Sequence, residues 1–382
     1  MFMNFPWNMN YMEFKEHFSI LSDTRQERKT TYNFFEVMFQ VVTAMLCGMK
    51  TWDDIEAFGE ENLTWFRKFS DYAHGVPSHD TLARIVGLVD PDEFSLCFVR
   101  WCNDIQREKA LETHHVAIDG KSLRGTYDYS KNKCLTHMVN AYSVDTGLVL
   151  GQLKTDFKSN EITLIPEILK LIKVKGRVIS LDAMGCQRTI AKEIVERGGD
   201  YLMSVKSNQP RLHSLFESKF SFDKLAEYAA QAVEQEEVGK RGRKMVRTYF
   251  TVPFSQEYGD FAVDWKELKT LCIAVTYQKD NRELSGSMGI RYFISSKELS
   301  PSGFGQLCRG HWGIESMHWW LDVVMNEDES KIVYAHAAEN LSRIRQMCMN
   351  FIKLVEMKGT LKRRQLKCAL NTEFRERVLF GN

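Results

Sequence analysis

The stretch from residue 114 to residue 205 sets the tightest limit on what this chain folds into. "HHVAIDGK" (114–121) is a short apolar strand, and "THMVNAYSVDTGLVLGQLKTD" (136–156) reads as two strands joined by a tight turn around Asp145, Thr146 and Gly147. "TLIPEILKLIK" has the period of an amphipathic helix, and "RVISLDAMGCQ" opens on a strand over 177–183. "RTIAKEIVERGG" is a helix closed by Gly198, and "DYLMSVKSN" is a further apolar strand. Three antiparallel strands feeding βαβ units predict a mixed α/β sheet.

Before this core, helix-period apolar positions recur through 33–48, 51–58, 62–70, 79–88 and 92–106. The chain therefore divides into a helical region, 1–110, and an α/β domain, 111–382. Ser78 precedes "HDTLARIVGLV" as a helix start, so the turn "HGVPSHD" between two helices reads either as a DNA-reading helix-turn-helix or as part of an ordinary bundle. Three strands without long helices between them, at 240–296, form a β insertion. A long helix from Ser302 to about Met325 follows, and helices at 334–357 and 361–377 finish the chain.

At 382 residues the chain exceeds one ordinary core, and 44% apolar content suits a folded protein. A net charge of +1 neither advertises nor excludes nucleic acid, because a basic face hides easily in a neutral total. The nine cysteines are dispersed with no C-x-x-C pair, which argues against a disulfide framework and for a reducing cytoplasm. The N-terminus lacks the pattern of a signal peptide. "FFEVMFQVVTAMLCGM", broken by Glu36 and Gln40, is shorter than the ~20 residues of a membrane span and predicts a buried helix.

Asp119 ends the first strand of the core and Asp182 its fourth. In sheets with parallel crossovers, sites form beyond the carboxyl ends of strands. If those strands are neighbours, two carboxylates stand side by side and repel unless a cation lies between them; hard oxygen donors suit Mg²⁺ or Mn²⁺. The alternative is that Asp182 caps the helix beginning near Gln187 and Asp119 stabilises a turn. Downstream, His311, Glu315, His318 and Asp322 fall on one helical stripe, with Glu315 as the candidate third ligand and a solvated face as the alternative. Glu315-x-x-His318 also matches a di-iron half-site, but the other such pair, Glu112-x-x-His115, runs into a strand. No phosphate-binding P-loop and no G-x-S-x-G elbow occurs.

Around these acids the sequence resembles the bacterial insertion-sequence transposases with a DDE site, most closely the H-repeat-associated transposase proteins. The matching stretches are "AIDGKSLRG", "GQLKTDFKSNEITLIPEIL", "ISLDAMGCQ", "GGDYLMSVKSNQ" and "RGHWGIESMHWWLDVVMNEDES", with "TWDDIEAFGE" and "GVPSHDTLARI" in the N-terminal region. The resemblance runs from about residue 13 to 375. It implies an RNase H-like core interrupted by the β insertion, in which Asp119, Asp182 and Glu315 hold two divalent ions, Mg²⁺ or Mn²⁺. It also implies cleavage of DNA at terminal repeats, transfer of the freed 3′ end to target DNA, and a homo-oligomer on DNA. Wider relatives carry a Tyr-Arg-Glu-Lys signature; with Glu315 as anchor, its other places here hold Cys308, His311 and Asp322.

Candidates for contacting DNA are Lys121 and Arg124 directly after Asp119, together with Lys206, Arg309, His311 and His318. The basic run "GKRGRKMVR" adds Arg241, Arg243 and Lys244, and "LKRRQLK" (361–367) is a second run. Trp312, Trp319 and Trp320 are candidates for stacking on an unpaired base or for the core. Two other readings stay open: a nuclease of the same fold that does not join strands, and an inactive DNA-binding relic.

Overall fold

The computed structural model describes residues 11–128, 130, 133–134, 136–155, 161–225, 227–228, 232–238, 244–280, 283–284 and 289–381. The chain begins with α1 (Tyr11–Phe18), α2 (Phe34–Leu46), α3 (Trp52–Glu61), α4 (Leu63–Phe66), α5 (His79–Leu88) and α6 (Pro91–Glu108). Strand β1 (His115–Ser122), the short pair β2 (Tyr127–Asp128) and β3 (Lys133–Cys134), and the hairpin β4 (His137–Ser143) and β5 (Val149–Thr155) follow. Alternation then sets in: α7 (Glu161–Leu171), β6 (Val178–Leu181), α8 (Arg188–Glu196), β7 (Asp200–Val205). After α9 (Pro210–Lys219) and α10 (Phe222–Leu225) come β8 (Val233–Val238), β9 (Lys244–Pro253), α11 (Phe261–Asp264), β10 (Thr270–Asp280), β11 (Glu283–Leu284) and β12 (Gly289–Ser295). Helices α12 (Pro301–His311), α13 (Gly313–Val323), α14 (Ala337–Leu354), α15 (Leu361–Leu370) and α16 (Thr372–Phe380) complete it. This is the mixed α/β core with a β insertion and helical flanks that the sequence predicts.

The chain separates into two compact units, one made of 1–112, 120–160 and 316–382, the other of 113–119 and 161–315. In the first, α2 forms because Asn33 accepts hydrogen bonds from the amides of Phe35 and Glu36, and because its residues from Glu36 to Leu46 are all buried. Glu36 is tolerated inside because its carboxylate accepts from Ser70 Oγ (2.7 Å) and Tyr72 N (2.9 Å). Thr51 and Asp54 close a capping box at the start of α3. Phe14, Phe35, Phe39, Phe69 and Phe380 cluster edge-on and stacked, so the last helix packs on the first ones.

Four sequence expectations shift in detail. Ser78 does stand at the N-cap of α5, but its side chain makes no capping bond; Glu56 Oε2 takes the His79 amide instead (2.8 Å). The long helix over 302–325 is two helices that meet at Trp312, and the segment 361–377 divides at Asn371, which caps α16. The β insertion begins earlier than 240, because β8 pairs antiparallel with β9. "VEQEEV" lacks β-branched alternation, so only its neighbour identifies it as a strand.

In the second unit the strands run in the order β1-β6-β7-β12-β10-β9-β8. β1, β6 and β7 are parallel, and β12, β10, β9 and β8 continue antiparallel. Helix α12 lies on this sheet through Phe304 and Cys308, which pack with Val178, Leu202, Tyr249, Cys272 and Ala274. Gly305 permits the approach: a Cβ there would meet the Tyr249 ring at 2.9 Å.

Candidate active site

Residues Val178, Ile179, Ser180 and Leu181 of β6 are all buried, and the chain leaves the sheet at the next residue, Asp182. Register pairs Ile118 with Leu181 on the neighbouring parallel strand β1. Asp119 and Asp182 therefore each follow the last paired residues of adjacent strands, and both are half-buried. Asp182 lies where β6 ends, whereas β1 runs on past Asp119 to Ser122, so Asp119 does not end its strand as the sequence predicts. Of the alternatives weighed for Asp182, capping of α8 is not what the structure shows: the N-cap is Gln187. Asp182 Oδ1 instead accepts from Gly185 N at 3.1 Å, fixing the bend that follows the strand. Asn208 and Gln209 brace the same bend through the carbonyls of Ala183 (2.6 Å) and Cys186 (2.7 Å).

Behind Asp182 runs a chain of polar contacts. Ser180 Oγ lies 2.7 Å from His115 Nε2 and 2.8 Å from His311 Nδ1. One hydroxyl proton can be donated to only one of the two rings, so Ser180 accepts from the other. Burial drives the His311 pKa down to about 4 against the pull of Asp182, which leaves that ring neutral at physiological pH. The His311 bond docks the end of α12 on β6, and Glu315 stands exposed four residues further on, in the first turn of α13. Among the described residues no three His, Cys, Asp or Glu side chains close into a ready-made metal cage.

The other candidates part company. Lys121 does not face a ligand: it is buried in the first unit and ion-paired with Asp322 and Glu327, with Asp328 at 3.8 Å. Arg345 approaches the far oxygen of Glu327 at 3.9 Å. Burial works against the Glu327 charge, but Lys121 and Arg345 outweigh it and lower its pKa below 4.5; Asp322, less enclosed, is raised by burial despite Lys121. A lowered carboxylate stabilises the fold above its unfolded pKa and loses that contribution as pH falls through the folded value. The melting temperature of wild type is thus expected to drop more steeply below about pH 4.5 than that of Glu327→Gln, read by scanning calorimetry across that range.

Arg124 is exposed, with Asp328 at 3.6 Å from its Nε. His318 faces Asn140 Nδ2 at 3.1 Å, and Gln346 donates to the Asn140 carbonyl at 2.7 Å. Lys206 and Lys244 are exposed, and Arg309 donates to Gln235 Oε1 at 3.1 Å. Arg241 and Arg243 lie outside the described residues. Trp320 is buried as core, Trp319 is exposed, and Trp312 carries the guanidinium groups of Arg247 and Arg291, two residues that sequence reasoning did not single out. The start of α5 is lined with acids: Glu56, Asp80 and Asp53 lie 2.7, 3.7 and 3.9 Å from His79.

Residues 15–102 match a family described as "DDE_Tnp_1-associated", and residues 111–351 match "Transposase DDE domain". "Putative transposase YncI" of Escherichia coli O157:H7 is 40% identical over 97% of this chain and 95% of its own. "H repeat-associated putative transposase YhhI" of Escherichia coli K12 is 38% identical over 98% and 99%. "Inactive transposase YbfQ" from the same strain is 36% identical but aligns with only 20% of this chain. A solved structure of a piggyBac transposase synaptic complex with hairpin DNA covers 94% of this chain at 12% identity and a TM-score of 0.38, too slight a likeness to place any residue.

Proposed function

Because the chain belongs to the Transposase DDE domain family, we propose that it cleaves DNA phosphodiesters and joins the freed 3′ end to target DNA, using an RNase H-like core in which Asp119, Asp182 and Glu315 hold divalent cations. The observation that supports this best is the register of β1 against β6, in which Asp119 and Asp182 each follow the last paired residues of neighbouring strands. His311 behind Asp182 is neutral, so that ring brings no positive charge to the end of β6. The donor set fits Mg²⁺ or Mn²⁺. Mg²⁺ takes one or two carboxylates and completes its shell with waters and substrate phosphates, so it does not need a cage of three protein ligands.

Held by these carboxylates, divalent ions would supply Lewis-acid activation of a water and neutralisation of charge on the leaving 3′ oxygen. The protein's own part is positioning. The end of β6 and the bend braced by Asn208 and Gln209 fix Asp182, the neighbouring strand fixes Asp119, and the exposed Glu315 carboxylate is presented from a helix rather than a loop. We assign the DNA contacts to the α/β domain, 111–382, rather than to the start of α5, where three carboxylates disfavour phosphate. Joining two DNA ends calls for a homo-oligomer on DNA. Among the described residues no helix is long and apolar enough to cross a membrane.

The test is incubation of the purified chain with supercoiled plasmid in Mg²⁺, Mn²⁺ or EDTA, followed by a search for joined products. Metal-dependent nicking with joined products is the expected result. Nicking without joining identifies a nuclease of the same family, and DNA binding without cleavage in either metal identifies a relic. The match of "Inactive transposase YbfQ" is confined to a fifth of the chain, whereas here the residues of all three acids are present.

A further inference from the structure

We infer that His115, Ser180 and His311 form a clasp that sets the three candidate ligands Asp119, Asp182 and Glu315 against one another. The inference rests on the metal-site reading and deepens it: the three are positioning residues, and none of them holds the ion. In the second unit, each comes from one of the elements that lead to the acids. His115 lies four residues before Asp119 on β1, Ser180 two before Asp182 on β6, and His311 four before Glu315 at the end of α12. Register pairs His115 with Val178 and Ala117 with Ser180, so the period of two turns 115, 117 and 119 toward the same face of the sheet as 178 and 180. Helix α12 lies on that face, its Phe304 and Cys308 in one apolar cluster with Val178. The Ser180 hydroxyl joins all three elements, 2.7 Å from His115 Nε2 and 2.8 Å from His311 Nδ1.

Apolar packing through Phe304 and Cys308 already holds α12 on the sheet. Ser180 and His115 are nevertheless carried into the interior, 2% and 4% exposed, which is costly for polar groups unless they are bonded. What the bonded chain adds is register. Apolar contacts are non-directional, so a helix can slide or turn on them, whereas hydrogen bonds weaken steeply away from their length and angle. A bonded set of buried polar groups therefore specifies one arrangement. Strand pairing already fixes the backbone that leads to Asp119 and Asp182. Glu315 has no such tie, because it stands on α13, which a single residue, Trp312, separates from α12. The clasp closes on His311, the last residue before that break, and so fixes the chain four positions short of the third acid. Mg²⁺ demands near-ideal ligand geometry, so a shift of Glu315 weakens the site although no ligand is lost.

The test is the Mn²⁺ affinity of the full chain for wild type, Ser180→Ala, Glu315→Gln and the double variant, with urea midpoints in EDTA to show that each keeps its fold. Ser180→Ala is expected to weaken Mn²⁺ binding about tenfold, as loss of a supporting hydrogen bond around a metal site does. Because the clasp acts through the placement of Glu315, the double variant is expected to bind about as well as Glu315→Gln alone; such a cycle isolates the coupling. His311→Asn, whose amide can take the place of Nδ1, is expected to keep the wild-type affinity, and His311→Leu to lose it as Ser180→Ala does. If Ser180→Ala does not fold, the two His311 variants carry the comparison. Folded Ser180→Ala or His311→Leu with wild-type affinity, or losses that simply add to that of Glu315→Gln, would overturn the clasp. Those results leave the metal-site reading, which stands on Mn²⁺ uptake by wild type and its loss in Asp182→Asn, whereas a wild type that takes up no Mn²⁺ would overturn both.

Discussion

Asp182→Asn is expected to abolish metal-dependent nicking while leaving the fold intact. A metal site contributes several kcal/mol of charge stabilisation, so loss of one of its carboxylates corresponds to a fall on the order of 10³-fold in rate. The asparagine keeps an oxygen that accepts the Gly185 amide, so the bend after β6 survives. Without metal the substitution also removes the repulsion from Asp119, its neighbour across β1 and β6. In EDTA the variant should therefore be at least as stable as wild type in urea. Adding Mn²⁺ should stabilise wild type, since a ligand bound only by the native state raises its stability, and should leave the variant where it was. A variant that lost stability in EDTA but nicked normally would mean that Asp182 serves only to fix the bend.

Lys121→Met is expected to act on the fold. Its side chain is 7% exposed and that of Glu327 1% exposed, so the substitution strands a buried negative charge with Arg345 at 3.9 Å and the Ser342 hydroxyl beside it. Breaking a buried pair from one side costs about 3–5 kcal/mol. The double variant Lys121→Met/Glu327→Gln removes the stranded charge and should recover about 1–3 kcal/mol, the usual range for coupled neighbours. Urea midpoints of wild type, both single variants and the double variant give that coupling directly. Equal losses in the single and double variants would mean that packing of the lysine stem, and not charge, holds this part of the first unit.

The two predictions mark what the sequence discloses and what it hides. Asp182 is legible because β6 is a run of buried residues that stops at an acid, and Asp119 because an acid interrupts the buried run of β1, although the strand itself continues to Ser122. The helix α5 is legible to the residue, since its apolar period and the turn before it are both local. Lys121 is misjudged as a DNA contact because its partners Asp322 and Glu327 lie about 200 positions away, and no local pattern ties them together. The division of α12 from α13 is hidden for another reason. Trp312 keeps a right-handed helical conformation, so the apolar period runs through the break without interruption. Arg247 and Arg291 sit in strands whose other residues read as ordinary β texture, and only the folded sheet brings them onto the Trp312 ring.

The measurement that bears most directly on the account is a titration of Mn²⁺ into wild type, Asp119→Asn, Asp182→Asn and Glu315→Gln, with free ion followed by electron paramagnetic resonance. Uptake by wild type that is lost in Asp119→Asn and Asp182→Asn, and weakened in Glu315→Gln, is the predicted result. Equal uptake by all four proteins, or none by any, would contradict the assignment of these carboxylates to a metal-dependent DNA-cleaving site.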